Sequence, residues 1–122
     1  MVKRIKLKYD FKIIKAFGLS SSQDLDELVE YEPFVEYFLL DSPPQANAQG
    51  GTGHRFDWKI IKNLSITKNF FLSGGLHKDN IISAINLKKT SYFDVSSGVE
   101  DSEGIKDKQL ITEFIDKAKN II

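Results

Sequence analysis

Asn69-Phe70-Phe71-Leu72-Ser73-Gly74-Gly75 and Tyr92-Phe93-Asp94-Val95-Ser96-Ser97-Gly98 decide the fold. Each is a short apolar run that ends in serine and glycine. Two earlier runs are similarly apolar, Lys12-Ile13-Ile14-Lys15-Ala16-Phe17 and Tyr37-Phe38-Leu39-Leu40. All four are nearly continuous in apolarity and do not strictly alternate. That is the pattern of strands buried on both faces of a parallel sheet.

Helical patterns fill the intervals. Ser20, Ser21 and Ser22 offer an N-cap before a helix over 23–31, with Leu25, Leu28 and Val29 on one face. Asp57 can cap a helix that starts at Trp58 and runs through Ile60, Ile61 and Leu64. Residues 78–87 bring Ile81, Ile82 and Ile85 together. Over 107–122, Leu110, Ile111, Phe114, Ile115, Ala118, Ile121 and Ile122 form one apolar stripe with charged residues opposite. The first ten residues read two ways. Ile5, Leu7, Tyr9 and Phe11 alternate like a strand, while Val2, Ile5 and Tyr9 share a helical face. The favoured reading is the end of a helix leading into the first strand. The order is therefore βαβαβαβα, with parallel strands joined by right-handed βα units.

Composition sets the boundaries. The 122 residues suit one domain, residues 1–122, with 41% hydrophobic and 28% charged residues and zero formal net charge. Basic residues crowd 1–15 and acidic ones 24–36, which reads as two solvated faces. A nucleic-acid arm would need a motif or an aromatic platform that is missing, so no nucleic acid is expected. There is no cysteine, hence no disulfide and no thiolate. Two histidines, His54 and His77, make a metal site unexpected, and both read as surface loop residues. No apolar run approaches the ~18 residues that cross a bilayer, and no secretory h-region is present, so no membrane is expected and the reading is cytoplasmic.

Ligands of βα folds bind beyond the C-terminal ends of the strands. There stand Ser73-Gly74-Gly75 and Ser96-Ser97-Gly98. Glycines let a ligand approach the backbone and leave N–H donors for an anion, while serines add hydroxyls. Two such turns on neighbouring strands can surround one phosphate with neutral donors, without Lys or Arg. Alternatively each is only a tight turn. Asp41 ends the second apolar run and opens a loop of about 15 residues, Asp41–Arg55. So long a loop suits a lid. Asp41 is either a general acid with a raised pKa or an Asx-turn. Asp94 either contacts ligand or is a satisfied core carboxylate. Gly50-Gly51-Thr52-Gly53 lacks the ending of a Walker loop and reads as lid flexibility.

In combination these segments resemble the phosphoribosylanthranilate isomerase family, enzymes of tryptophan biosynthesis. The likeness runs from Phe11 onward. It rests on Ile14-Lys15-Ala16, Leu39-Leu40-Asp41, Gly50-Gly51-Thr52-Gly53 with Phe56-Asp57-Trp58, Leu72-Ser73-Gly74-Gly75-Leu76 and Asp94-Val95-Ser96-Ser97-Gly98-Val99-Glu100. The family is a (βα)8 TIM barrel that uses no metal and no cofactor. It converts phosphoribosylanthranilate to the carboxyphenylamino-deoxyribulose phosphate by an Amadori rearrangement, an aldose–ketose isomerisation. The resemblance implies that Asp41 is the general acid. It implies that Ser73, Gly74, Gly75, Ser96, Ser97 and Gly98 hold the phosphate, with Asp94, Gly51 and Gly53 near substrate.

The family's base is a cysteine ending its first strand, and an early arginine meets the anthranilate carboxylate. Both belong to the part of the family that this chain does not match. Arg55 stands where a threonine is common. The resemblance is to strands five to eight, a (βα)4 half barrel preceded by the tail of a helix. The expected partners are a phosphorylated sugar substrate and either a complementing N-terminal half or a second copy. The alternative function is a non-catalytic sugar-phosphate-binding half barrel that homodimerises. A weaker third reading is an unrelated aldolase-type or indoleglycerol-phosphate barrel.

Overall fold

The computed structural model describes residues 1–19, 23–41 and 58–121. The elements are α1 (Val2–Lys8), β1 (Ile14–Gly18), α2 (Gln23–Tyr31), β2 (Tyr37–Asp41), α3 (Trp58–Lys62), β3 (Asn69–Ser73), α4 (Ile81–Asn86), β4 (Tyr92–Phe93), β5 (Glu100–Ser102), β6 (Ile105–Lys106) and α5 (Lys108–Ile121). Single 3-10 turns cover Glu32–Phe34 and Ser97–Val99. The strands β1-β2-β3-β4 form one parallel sheet in chain order. This is the α/β arrangement expected. Within the first ten residues Val2–Lys8 adopt the favoured helix, and Tyr9 leaves it in an extended conformation.

The sheet has two different faces. Side chains alternate along a strand, and the parallel register aligns Phe17, Leu40 and Leu72 with Phe93 on one face. Phe38, Leu40, Phe70 and Leu72 are buried there beneath Leu28 of α2, Ile61 of α3, Ile81 and Ala84 of α4 and Phe114 of α5. The opposite face carries Ile14, Tyr37, Leu39, Phe71 and Tyr92. The rings of Tyr37, Phe71 and Tyr92 pack on one another with centroids 5.3–5.9 Å apart. No described helix covers this face, and Ile14 is 56% and Tyr92 39% exposed. Burial on both faces is therefore not what the described residues show. Continuous apolarity reflects one face against helices and one apolar face left open.

Boundaries move at the strand ends. Asp41 and Ser73 lie inside their strands. Strand β4 stops at Phe93, so Asp94 and Val95 lie beyond it. A hairpin, β5–β6, stands between the last sheet strand and α5 where the sequence suggested only a connection. The expected caps Ser20–Ser22 and Asp57, the proposed lid over 42–55 and His54 lie outside the described residues. Among the described residues no helix is long and apolar enough to cross a membrane.

Candidate functional site

Strand register builds the site. Gly18, Asp41 and Ser73 are successive register partners across β1, β2 and β3. Alternation sets Asp41 and Ser73 on the face opposite Leu40 and Leu72, with Asp41 half-buried and Ser73 itself buried. The next position along the row is Asp94, whose N–H donates to the Leu72 carbonyl at 2.9 Å. The Ser73 hydroxyl donates to Asp94 Oδ2 at 2.9 Å. Asp41, Ser73 and Asp94 thus form a polar row at the C-terminal ends of three neighbouring strands. The Asp41 carbonyl accepts from the Leu19 N–H at 2.8 Å, which holds the ends of β1 and β2 together. Asp94 is exposed and bonded to one hydroxyl. It is not the enclosed core carboxylate that one reading allowed.

Two turns follow the row. Gly74 and Gly75 both have positive φ, 88° and 70°. A side chain is strained in that region, so the tight turn depends on them. Asn80 holds this turn. Its Nδ2 donates to the Gly75 carbonyl at 2.7 Å, and its Oδ1 accepts from the His77 N–H at 2.8 Å. The His77 ring serves the same segment, its Nδ1 accepting from the Asp79 N–H at 3.2 Å. Lys117 of α5 donates to the Lys78 carbonyl at 3.0 Å, and Lys78 pairs with Glu113 at 2.9 Å. That pair raises the Lys78 pKa and lowers that of Glu113, the hydrogen bond being the largest cause for each.

The second turn, Ser96-Ser97-Gly98, touches the first. A Cβ on Gly98 would lie 1.9 Å from the Leu76 carbonyl oxygen. Among the described residues, the Gly74, Gly75, Ser96 and Ser97 amides donate to no backbone carbonyl. Backbone donors left over in glycine turns suit an anion. A cation also stands at the second turn. Lys106 of β6 donates from Nζ to the Ser96 carbonyl at 3.0 Å and to the Ser96 hydroxyl at 3.1 Å, and it also bonds Glu100. The Lys106 hydrogen bond, and then the Gly104 N–H, hold the Glu100 carboxyl below its usual pKa.

Eight of the ten candidate residues, Asp41, Ser73, Gly74, Gly75, Asp94, Ser96, Ser97 and Gly98, therefore lie at one end of the sheet. Gly51 and Gly53 lie outside the described residues. Sequence reading missed Asn80 and Lys106. The only trace of either was a polar residue soon after a glycine turn, and that signal is too common to single out. A cavity of about 530 Å³ opens at the opposite end, lined by residues that include Asn69, Lys88, Lys89 and Tyr92. It contains none of the candidates. Among the described residues no three His, Cys, Asp or Glu side chains cluster to hold a metal.

The family model described as N-(5'phosphoribosyl)anthranilate (PRA) isomerase matches residues 1–117. The N-(5'-phosphoribosyl)anthranilate isomerase of Petrotoga mobilis is 40% identical over 121 residues, 99% of this chain and 56% of that protein. That of a Caulobacter species is 37% identical over 98% of this chain and 57% of that protein. The chain thus spans little more than half the length of these relatives. The solved dimeric phosphoribosylanthranilate isomerase of Thermotoga maritima, in mutually generated monomers, superposes with a TM-score of 0.75 at 31% identity. That match covers 98% of this chain and 56% of that one. A phosphoribosyl anthranilate isomerase bound to reduced 1-(o-carboxyphenylamino)-1-deoxyribulose 5-phosphate gives a TM-score of 0.71 at 34% identity, over 94% and 52%. With its parallel βα sheet and a family match from residue 1 to residue 117, the chain belongs to the N-(5'-phosphoribosyl)anthranilate isomerase family.

Proposed function

We propose that this chain is the acid- and phosphate-bearing part of a PRA isomerase. It folds as one domain, strands five to eight of a (βα)8 barrel, a (βα)4 half. The observation that carries this reading is the row Asp41–Ser73–Asp94 beside two turns that meet at Gly98 and Leu76. A relative solved with a reduced deoxyribulose 5-phosphate compound supports the substrate class.

In this reading the turns at Ser73-Gly74-Gly75 and Ser96-Ser97-Gly98 bind the 5-phosphate, and the ribose ring lies across the row. Asp41 gives its proton to the furanose ring oxygen as the C1′–O bond breaks, and the anilino nitrogen lone pair forms a protonated Schiff base. A base then takes the C2′ proton. The C–H electrons form the enolamine, which tautomerises to the C2′ ketone. Each step is a proton transfer, the kind of work positioned carboxyl groups perform. The Ser73 hydroxyl gives its one proton to Asp94, so the first turn meets the phosphate through the Gly74 and Gly75 N–H groups. Gly51 and Gly53, outside the described residues, are assigned near substrate by the resemblance alone.

The base is a cysteine in the family, and this chain has none. A complementing N-terminal half supplies it, and the open apolar face of Ile14, Leu39 and Phe71 is where that half docks. Exposed apolar surface of this kind favours association. The test mixes this chain with the N-terminal part of a relative and follows conversion of PRA. Conversion by the mixture, with neither part active alone, is expected, as is rescue of a tryptophan auxotroph by the pair. A folded complex without conversion overturns the reading. The lack of cysteine beside a complete phosphate clamp favours one alternative, a homodimer that binds sugar phosphates without catalysis. A dimeric solution mass with phosphate binding, but no activity with any added half, would establish that alternative.

A further inference from the structure

We propose that Lys106 is a positioning residue of the phosphate clamp: it orients the Ser96 hydroxyl and strengthens the Ser97 N–H as donors to the phosphate. The inference rests on the phosphate-binding reading above.

An ammonium group has three donors. Lys106 uses them on the Ser96 carbonyl (3.0 Å), the Ser96 hydroxyl (3.1 Å) and Glu100. The Ser96 hydroxyl oxygen accepts from Lys106, so its own proton points elsewhere and is free to donate. The Ser96 carbonyl belongs to the peptide unit whose N–H is that of Ser97. A cation on the oxygen polarises this unit and makes its N–H a stronger donor, as in any hydrogen-bonded chain. The positive charge also lies within hydrogen-bond distance of Ser96, where it favours an anion bound at this turn.

The position of Lys106 is built by its neighbours. Glu100 and Lys106 are register partners in the β5–β6 hairpin. The turn between the strands places Gly104 at a φ of 80°, with its N–H donating to Glu100 Oε1 at 3.0 Å. On the other side the Asp107 N–H donates to the Val99 carbonyl at 2.8 Å, and Asp107 Oδ1 caps α5 by accepting from the Leu110 N–H at 2.9 Å. Lys106 is therefore held between two anchored points. An exposed Lys–Glu pair by itself adds little stability, and the contacts to Ser96 give this one a second role.

The test titrates the full chain with inorganic phosphate, by calorimetry and by the amide NMR shifts of Ser96, Ser97 and Gly98. The variants are K106M, K106R and E100Q. K106M should weaken phosphate binding by roughly five- to tenfold and flatten its salt dependence. K106R should restore most of the affinity. E100Q keeps an acceptor for Gly104 and Lys106 but removes the opposing charge, so binding should be equal or tighter. Wild-type affinity in K106M overturns the proposal and leaves the clamp standing. Equal weakening in K106M and E100Q also overturns it, because hairpin stability alone would do that. If K106M does not fold, weaker binding in E100Q overturns it. A wild-type chain that binds no phosphate removes the clamp itself and Lys106 with it.

Discussion

The backbone of Gly98 lies directly against the carbonyl of Leu76. A Cβ at Gly98 would come 1.9 Å from the oxygen, 2.9 Å from the carbon and 3.1 Å from His77 Cα. All three are backbone atoms, so no side chain can swing aside. Gly98→Ala should force the two turns apart, costing about 1–3 kcal/mol as an overpacked contact does, and should weaken phosphate binding sharply. Gly104→Ala is the comparison for stability alone, because Gly104 also anchors Lys106 through Glu100. Nothing lies within 4 Å of a Cβ there, and only its φ of 80° opposes the change, at about 1–2 kcal/mol for the left-handed conformation. Urea midpoints compare the two, and phosphate titration follows Gly98→Ala. Unchanged phosphate affinity in Gly98→Ala would mean the turns relax apart without consequence.

Asp41 and Ser73 are register partners on the sheet face opposite Leu40 and Leu72. Asp41→Asn keeps the shape and removes the proton donor. In a barrel completed by an N-terminal half, it should reduce PRA conversion by ~10²–10⁴-fold, the range of a lost general acid. Affinity for inorganic phosphate should hardly change. Wild-type turnover would assign the acid to another residue.

Much of this architecture is legible in the residues. Apolar runs, helical spacing and glycine turns place four strands, their helices and the end of the sheet where Asp41, Ser73 and Asp94 meet. The open apolar face is not legible. Ile14 and Phe71 look the same in sequence whether a helix or nothing covers them, because periodicity reports which residues are apolar and not what packs on them. Strand ends differ from the apolar runs for a related reason. Ser73 is polar yet pairs in the ladder, while Val95 is apolar yet lies beyond β4. Asn80 and Lys106 were missed because their work is a contact with backbone atoms several residues away, Gly75 in one case and Ser96 in the other. No local pattern marks such a contact.

Asn80 closes the first turn with two hydrogen bonds, to the Gly75 carbonyl and from the His77 N–H. Asn80→Ala leaves both backbone groups to find water, at about 1–3 kcal/mol. Affinity for phosphate should fall, while Asp41 chemistry in a completed barrel should show a raised KM and a nearly unchanged kcat. Gly75→Val tests the same turn from within. Its φ of 70° is hostile to a β-branched residue, so phosphate binding should be lost. Unaltered affinity in both variants would place the phosphate elsewhere.

Acid sensitivity follows from Glu36. Its carboxylate bonds the Lys6 ammonium of α1 and the Ile13 N–H just before β1. These contacts, Lys6 first, hold its pKa below the usual 4.5. Glu100 and Glu113 are lowered in the same way by Lys106 and Lys78. A carboxyl depressed in the folded state binds its proton more readily when unfolded. Its contribution is present above the unfolded value of 4.5 and is lost as pH falls through the folded one. Stability should therefore hold near neutral pH and drop on acidification below about 4.5, with all three carboxyls contributing. Glu36→Gln should flatten this acid limb and lower stability near neutral pH. It should also loosen α1 and speed proteolysis in the already exposed segment from Tyr9 to Lys12. Urea midpoints measured across pH for both proteins provide the check. An acid limb in Glu36→Gln as steep as in the unaltered chain would show that the bond from Lys6 does not fasten α1 to the sheet.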